Sequence, residues 1–168
     1  MFTLKPISVD AIPAALAKAE RYRLLNEPEQ AESICEDVLA ADPGNHEAQI
    51  ALILALTEQF RQHEPGLVAR AQELAAGLAS EYERCYYTGL VAERHTRALI
   101  TRGGPGAGLP VGDWLRSAMR SFERADEIGA PGTDDARLRW NACVRLAERH
   151  PNLVTPAEQE RGELLMLE

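Results

Sequence analysis

The chain has 168 residues, of which 45% are hydrophobic and 26% are charged, and its formal net charge is −8 at pH 7. This length fits one compact domain or one short array of repeats. The acidic balance opposes general nucleic-acid binding, which needs a basic surface, and no apolar run approaches the roughly 18 residues that a membrane-spanning helix needs.

The N-terminal sequence and the cysteines indicate a compartment. The start Met1-Phe2-Thr3-Leu4-Lys5-Pro6 lacks the apolar stretch of a secretory leader. The three cysteines, Cys35, Cys85 and Cys143, lie far apart and cannot all pair within the chain. We therefore expect reduced thiols that pack in a core, in a cytoplasmic protein.

The composition favours helices. Alanine occupies 26 positions, whereas valine, isoleucine and threonine together occupy 21. Alanine loses no side-chain entropy in a helix, and β-branched residues lose χ1 freedom there. Apolar periodicity and turn residues predict eight helical segments and no strand. They are 11–25, a second helix that starts at Pro28 and is stopped by the turn Asp42-Pro43-Gly44-Asn45, then 46–61, 67–80, 82–101, 114–128, 134–149 and 156–168.

Three local features refine this prediction. Segment 46–61 is apolar nearly all round, which predicts a helix in the middle of a stack. The stretch 102–112 is dense in glycine and proline and predicts a loop, with Asp113 capping the helix that follows. Asp10 is predicted to cap the first helix. Short connections predict antiparallel neighbouring helices.

The second helical segment carries the most specific pattern. It has a small residue at Ala31, then Cys35, Val38 and Leu39, and a closing Pro43, and the segment before it supplies Ala19 and Tyr22. This arrangement resembles a tetratricopeptide repeat. Segment 118–131 repeats it with Ala118, Phe122, Ala125 and Pro131, segment 67–80 has Ala71, Ala75 and Leu78, and Gly89 is a small residue where a neighbouring helix would cross.

The resemblance implies a single all-α domain over 1–168: a right-handed α-solenoid of about four antiparallel helix pairs, near 11–43, 46–80, 82–128 and 134–167. The distances from Ala31 to Ala71 and from Ala71 to Ala118 are 40 and 47 residues, longer than the family period of roughly 34. An irregular helical bundle is the alternative fold.

No catalytic constellation is found in the sequence. His46-Glu47-Ala48-Gln49-Ile50 resembles the start of a zinc-protease helix, but Ile50 stands where the second histidine ligand must be. His63, His95 and His150 are read as surface histidines. The loop 103–108 lacks the Gly-Lys-Ser/Thr ending of a phosphate cradle. We therefore expect no enzyme activity, no metal and no cofactor.

Charge is unevenly distributed. Residues 1–83 carry 6 basic and 14 acidic groups, residues 84–149 carry 11 arginines and 8 acids, and residues 150–168 carry 1 arginine and 4 glutamates. In tetratricopeptide arrays the first helix of each pair lines a concave groove. The resemblance therefore points to one groove, with binding residues Tyr86, Arg94, Arg97, Arg137, Asn141 and Arg145.

The expected ligand is a peptide or partner helix, with an acidic peptide or a C-terminal carboxylate favoured because arginine pairs bidentately with carboxylates. Alternatively, these arginines pair with Glu93, Asp134, Asp135 and Glu148 on a solvated face.

The overall expectation is a scaffold or adaptor that binds another protein and neither nucleic acid nor membrane. The alternatives are a dedicated client chaperone, as in bacterial secretion chaperones with small acidic tetratricopeptide arrays, and a regulatory partner of a separate enzyme. The apolar cluster 164–167 would either cap the last helix pair or form a homodimer through the C-terminal helix.

Overall fold

A computed structural model describes residues 2–62, 66–103 and 108–153, and the side chains of all of these except 108–110. They form seven α-helices: α1 (Ile12–Leu24), α2 (Pro28–Ala41), α3 (His46–Glu58), α4 (Leu67–Ala76), α5 (Glu81–Arg102), α6 (Gly108–Ile128) and α7 (Asp135–Arg149). Short 3₁₀ helices lie at Val9–Ala11, Phe60–Gln62 and Pro151–Leu153. The prediction of an all-helical chain is confirmed for these ranges. The predicted last helix, 156–168, lies outside them.

Each helix packs against the next one along the chain. In addition, α1 contacts α3, α3 contacts α5, and α5 contacts α7. Helix α3 therefore has neighbours on several sides, namely α1, α2, α4 and α5. This agrees with its apolar sequence and confirms the prediction that it lies in the middle of the stack.

Small residues lie where helices approach one another. Ala19, Ala31, Ala71 and Ala118 have no exposed surface. At Gly89 on α5, an added Cβ would lie 2.8 Å from the Phe122 ring of α6. A side chain at position 89 would therefore displace a fully buried ring, which explains the glycine. The predicted use of small residues at helix crossings is confirmed.

The buried apolar residues form clusters that differ in composition along the chain. The cluster that spans α1 to α5 consists mainly of alanine and leucine, with Phe60 as its one buried aromatic residue. The cluster between α5 and α7 contains Phe122 together with partly buried Tyr86, Trp114 and Trp140. These aromatic rings surround α6, the helix with the most extensive contact to α5.

One predicted helix start and two predicted caps are wrong. Helix α6 begins at Gly108, so the glycine-rich loop is shorter than 102–112 and Asp113 lies inside the helix, paired with Arg116 at 2.6 Å. Pro110 is compatible with this start because the first amides of a helix have no intrahelical partner. Asp10 lies in a 3₁₀ turn and does not cap α1 with its side chain.

The start of α6 also contacts the end of the described chain. A Cβ at Gly112 would lie 2.5 Å from the carbonyl oxygen of Leu153. Leu153 itself is buried in the α5–α7 core. Helix α6 therefore gains a turn beyond its predicted start because tertiary packing covers Val111 and Gly112.

Candidate functional site

Arg94 on α5 lies at the centre of a polar network and points at α3. One of its guanidinium nitrogens donates to the Thr57 hydroxyl at 2.6 Å and to the Leu54 carbonyl at 3.3 Å. The same nitrogen lies 3.5 Å from a carboxylate oxygen of Glu58. The Arg94 side chain is 23% exposed, so α3 and α5 cover most of it.

Glu58 connects Arg94 with the first helix. Its carboxylate accepts hydrogen bonds of 2.7 and 3.1 Å from Arg23 of α1, a bidentate pair. Such forked pairs fix orientation as well as charge. Glu58 therefore joins α1, α3 and α5 through two arginines.

A second carboxylate joins α5 to α7. Glu93 is 1% exposed and accepts hydrogen bonds from Arg97 at 2.9 Å and from Arg139 at 3.4 Å. Burial by itself would lower the pKa of Arg139, but the Tyr86 hydroxyl and Glu93 outweigh it and the pKa is raised. Tyr86, Arg97 and Arg139 are thus held together around one buried carboxylate.

Positive charge exceeds negative charge in this region. We call its seven side chains the basic network; it contains five arginines and two glutamates: Arg23, Arg61, Arg94, Arg97, Arg139, Glu58 and Glu93. Burial lowers the pKa of Arg94, and although Glu58 opposes this, the nearby charges of Arg139 and Arg23 add to it. Five arginines and two glutamates give these described side chains a formal charge of +3, in a chain whose net charge is −8.

A pocket of about 180 Å³ opens within the basic network, between α3, the 3₁₀ turn Phe60–Gln62 and α5. Its apolar lining comes from Phe60 and Ala98. Its polar lining consists of Thr57, Glu58 and the three arginines Arg61, Arg94 and Arg97. The Arg102 guanidinium donates to the Phe60 carbonyl and ties the 3₁₀ turn to α5. The wall that carries Arg61 is thereby fixed.

The sequence-predicted binding residues occupy two places. Tyr86, Arg94 and Arg97 all belong to α5 and lie at or next to the basic network. On α7, Arg137 is 59% exposed and pairs with Asp126 of α6 at 3.2 Å and with Asp134 at 3.2 Å. Asn141 is half-buried and Arg145 is exposed. Arg137 contacts α6, whereas Arg139 contacts α5, so these two α7 arginines do not share a cluster.

Two of the pairings expected for a solvated face are present, Arg97 with Glu93 and Arg137 with Asp134. They differ in burial, because Glu93 is fully buried and Asp134 is exposed. The binding of a ligand by the predicted residues stays a prediction.

Sequence reasoning missed Arg23, Arg61 and Arg139. Arg139 could have been found: it lies three residues after Ala136 and four before Cys143, both of which are buried. Helical periodicity therefore places a charge at the edge of a core stripe, where it requires a partner. Arg23 and Arg61 join the site only through tertiary contacts, and no local pattern marks them.

Other chemical groups show no catalytic arrangement among the residues that the structure describes. Burial raises the pKa of Cys35 to about 11 and that of Cys143 to about 12, which makes both thiols poor nucleophiles. Cys85 is half-buried. Within the described ranges no cluster of three His, Cys, Asp or Glu side chains fits a metal ion, and no helix there is long and apolar enough to cross a membrane.

The prediction that His95 is a surface residue is wrong. Its ring packs edge-to-face against Trp114 at 4.7 Å and Phe60 at 5.9 Å, and burial together with the Arg102 charge lowers its pKa. The apolar contacts come from a helix and a turn distant in sequence, so the helical pattern around His95 did not reveal them.

A larger concavity of about 730 Å³ lies between α2, α3 and α4. Its floor is apolar, with Leu39, Leu52 and Leu74, and its rim carries Glu36, Glu73 and Arg70. Arg70 pairs with Glu36 and Glu32 of α2. The rim therefore has more negative than positive charge, the reverse of the basic network.

Comparison of the chain with known protein families, curated proteins and solved structures finds no match.

Proposed function

We propose that this protein is an interaction module that binds an acidic segment of another protein along the basic network. The single observation that carries the proposal is the formal charge of +3 on the described side chains of the basic network, which α1, α3, the 3₁₀ turn Phe60–Gln62, α5 and α7 contribute in a strongly acidic chain. The neighbouring charges of Arg139 and Arg23 add to burial in lowering the pKa of Arg94. A partner carboxylate that binds nearby relieves this repulsion.

The proposed architecture is a right-handed tetratricopeptide-like solenoid, in which the odd-numbered helices line the binding face. The order of helix contacts supports it, because each helix packs on the next and successive odd-numbered helices also touch. The buried alanines and the approach of Gly89 to Phe122 support it as well, because close helix crossings are what the repeat pattern requires.

The rigidity of the network supports recognition of a charged segment. Each glutamate orients two arginines, and the Thr57 hydroxyl fixes Arg94. Preorganised donors lose less conformational entropy on binding than free side chains do. Electrostatic attraction also increases the association rate of an acidic partner.

Affinity purification with quantitative mass spectrometry tests the proposal. The tagged full chain is the bait, compared with the variant Arg61→Glu/Arg97→Gln in the basic network. A matched control, Arg120→Glu/Arg124→Gln, alters two exposed arginines on α6. Circular dichroism and the unfolding midpoint first establish that all baits are folded.

We expect the specific partner to be reduced about tenfold or more with the network variant, because each lost charge-assisted hydrogen bond is worth about 1.5 kcal/mol, and to be retained with the control. Equal recovery of the partner with the network variant and the control variant would contradict the proposal.

The additional variant Arg137→Glu/Arg145→Glu tests the α7 residues predicted from the sequence. The identity of the partner separates a scaffold from a client chaperone or a regulatory subunit.

A further inference from the structure

The pocket between α3, the 3₁₀ turn and α5 has a size that restricts its occupant. Its volume is about 180 Å³, which equals about six water molecules at roughly 30 Å³ each. Sites for cofactors and drug-sized molecules begin at about 300 Å³. The pocket therefore has room for one small functional group, whose parent molecule remains outside.

The polar side of the pocket selects the charge of that group. Among the residues that the structure describes, Arg61, Arg94 and Arg97 line it, and Glu58 is the one carboxylate in the lining. Glu58 is already matched by Arg23 at 2.7 Å and Arg97 by buried Glu93 at 2.9 Å, which leaves the charges of Arg61 and Arg94. The lining therefore retains a net positive charge that favours an anion.

The apolar side selects the shape. Phe60 is 3% exposed and Ala98 is 2% exposed, so both belong to the core and form a rigid apolar edge of the pocket. A carboxylate carried on slender methylene groups can pass this edge while its oxygens reach the guanidinium groups. A bare inorganic anion has no such stem.

From these observations we propose that the pocket is a subsite for a single carboxylate of the bound partner, with Arg61 and Arg97 as its direct ligands and Arg94 as the buried charge behind them. This inference rests on the proposed function and specifies the chemistry of its most enclosed point. Two groups supply such a carboxylate, the side chain of a glutamate and the C-terminal carboxylate of a peptide.

The two sources differ in what accompanies the carboxylate. The glutamate side chain carries its carboxylate on two unbranched methylene groups, which need little room at the edge formed by Phe60 and Ala98. A C-terminal carboxylate is attached directly to the branched Cα and brings a bulkier group to the same surface. Since the pocket is small, we expect the glutamate side chain to bind more tightly.

Nuclear magnetic resonance of the full chain tests this assignment with blocked amino acids as probes. The arginine Nε–Hε signals are recorded while N-acetyl-glutamate methylamide, N-acetyl-alanine or inorganic phosphate is added. N-acetyl-glutamine methylamide is the uncharged control. We expect saturable shifts for Arg61, Arg94 and Arg97 with the glutamate probe, weaker ones with N-acetyl-alanine, and none for Arg120 or Arg124.

Substitution of Arg61 is the sharpest variant, because Arg61 is exposed and its replacement leaves the core intact. Arg61→Gln should weaken binding of the glutamate probe about tenfold, the effect of one charge-assisted hydrogen bond. Arg120→Gln is the matched control and should leave the affinity unchanged.

Several outcomes would overturn the assignment: no saturable shifts, equal binding of the glutamine control, or tighter binding of phosphate than of either carboxylate. Tighter binding of N-acetyl-alanine would retain the subsite and reassign its ligand to a chain terminus. If the subsite fails while the partner is still lost with Arg61→Glu/Arg97→Gln, the proposed function stands and only the pocket chemistry is wrong.

Discussion

The basic network and the surface of α2 and α4 use the same residue types with opposite balance. In the network, five arginines surround two glutamates, one of which is fully buried. On α2 and α4, Glu29, Glu32 and Glu36 face a single arginine, Arg70, assisted by the amides of Gln59 and Gln62. Ion pairs hold both regions, but among the described side chains positive charges outnumber negative ones in the network, and the reverse holds on α2 and α4.

Burial gives these two regions different energetic consequences. Surface ion pairs contribute about 0 to 1 kcal/mol, because water and salt screen them. Glu93 is 1% exposed, whereas the Glu36 side chain is 50% exposed. The same substitution should therefore have different effects in the two regions.

The rate of cysteine labelling reports how deeply Cys35 and Cys143 are buried, the first on α2 and the second on α7. In both, the thiol pKa is raised chiefly by burial, to about 11 in Cys35 and about 12 in Cys143. Because the thiolate is the reactive form, iodoacetamide at pH 8 should label both about 100-fold or more slowly than half-buried Cys85. Peptide mass spectrometry of the native chain measures the rates, and equal labelling of all three thiols would contradict the packing.

Glu93→Gln should cause the largest loss of stability among the polar substitutions. It leaves Arg97 and Arg139 without their shared carboxylate. Breaking a fully buried pair lowers the free energy of unfolding by about 3 to 5 kcal/mol. Because both arginines are about one-third exposed, we expect a smaller decrease of about 2 kcal/mol. Urea unfolding measures this. Glu36→Gln is the matched control and should change the free energy of unfolding by less than about 0.5 kcal/mol. Similar losses of stability for Glu93→Gln and Glu36→Gln would refute the contrast in burial.

Gly89→Ala tests the packing that supports the network from the other side of α5. The added Cβ clashes with Phe122. Overpacking destabilises a protein by about 1 to 3 kcal/mol, whereas the better helix propensity of alanine stabilises it by up to about 1 kcal/mol. We therefore expect the free energy of unfolding to decrease by about 1 kcal/mol. Gly77→Ala, where the nearest atom is 3.4 Å away, should be neutral or stabilising. If Gly89→Ala raised the unfolding midpoint, the close α5–α6 crossing would be wrong.

Arg124→Ala should have the smallest effect. Arg124 pairs with Glu81 and Glu127, but all three side chains are more than half exposed. Because solvent screens such pairs, we expect no measurable shift of the thermal unfolding midpoint. A clear decrease would show that exposed pairs contribute to stability here and would weaken the contrast with Glu93.

Much of the fold could be predicted because its local patterns are strong. The bounds of α2 and the start of α3 follow from Pro28 and from the turn at Asp42–Asn45, whose Asn45 side chain caps α3. The start of α6 could not be predicted, because glycine and proline favour a loop locally while packing against Leu153 stabilises the extra turn.

The candidate site was predicted less completely. The α5 residues Tyr86, Arg94 and Arg97 share a stripe in the sequence, but the partners of Arg94 lie on α3 and the partner of Tyr86, Arg139, lies on α7. On α7, the regular spacing of Arg137, Asn141 and Arg145 was noticed, whereas Arg139, which reaches Glu93, was not. Spacing shows which residues share a helix face but does not show which neighbouring helix that face meets.

The sequence by itself determined that the chain forms helices, where most of them begin and end, and which small residues lie buried between them, because helix propensity, capping and apolar periodicity act over a few neighbouring residues. Only the tertiary structure decided which charges meet. Arg23 and Glu58 are 35 residues apart and Arg139 and Glu93 are 46 apart, and their pairing depends on how the helices stack.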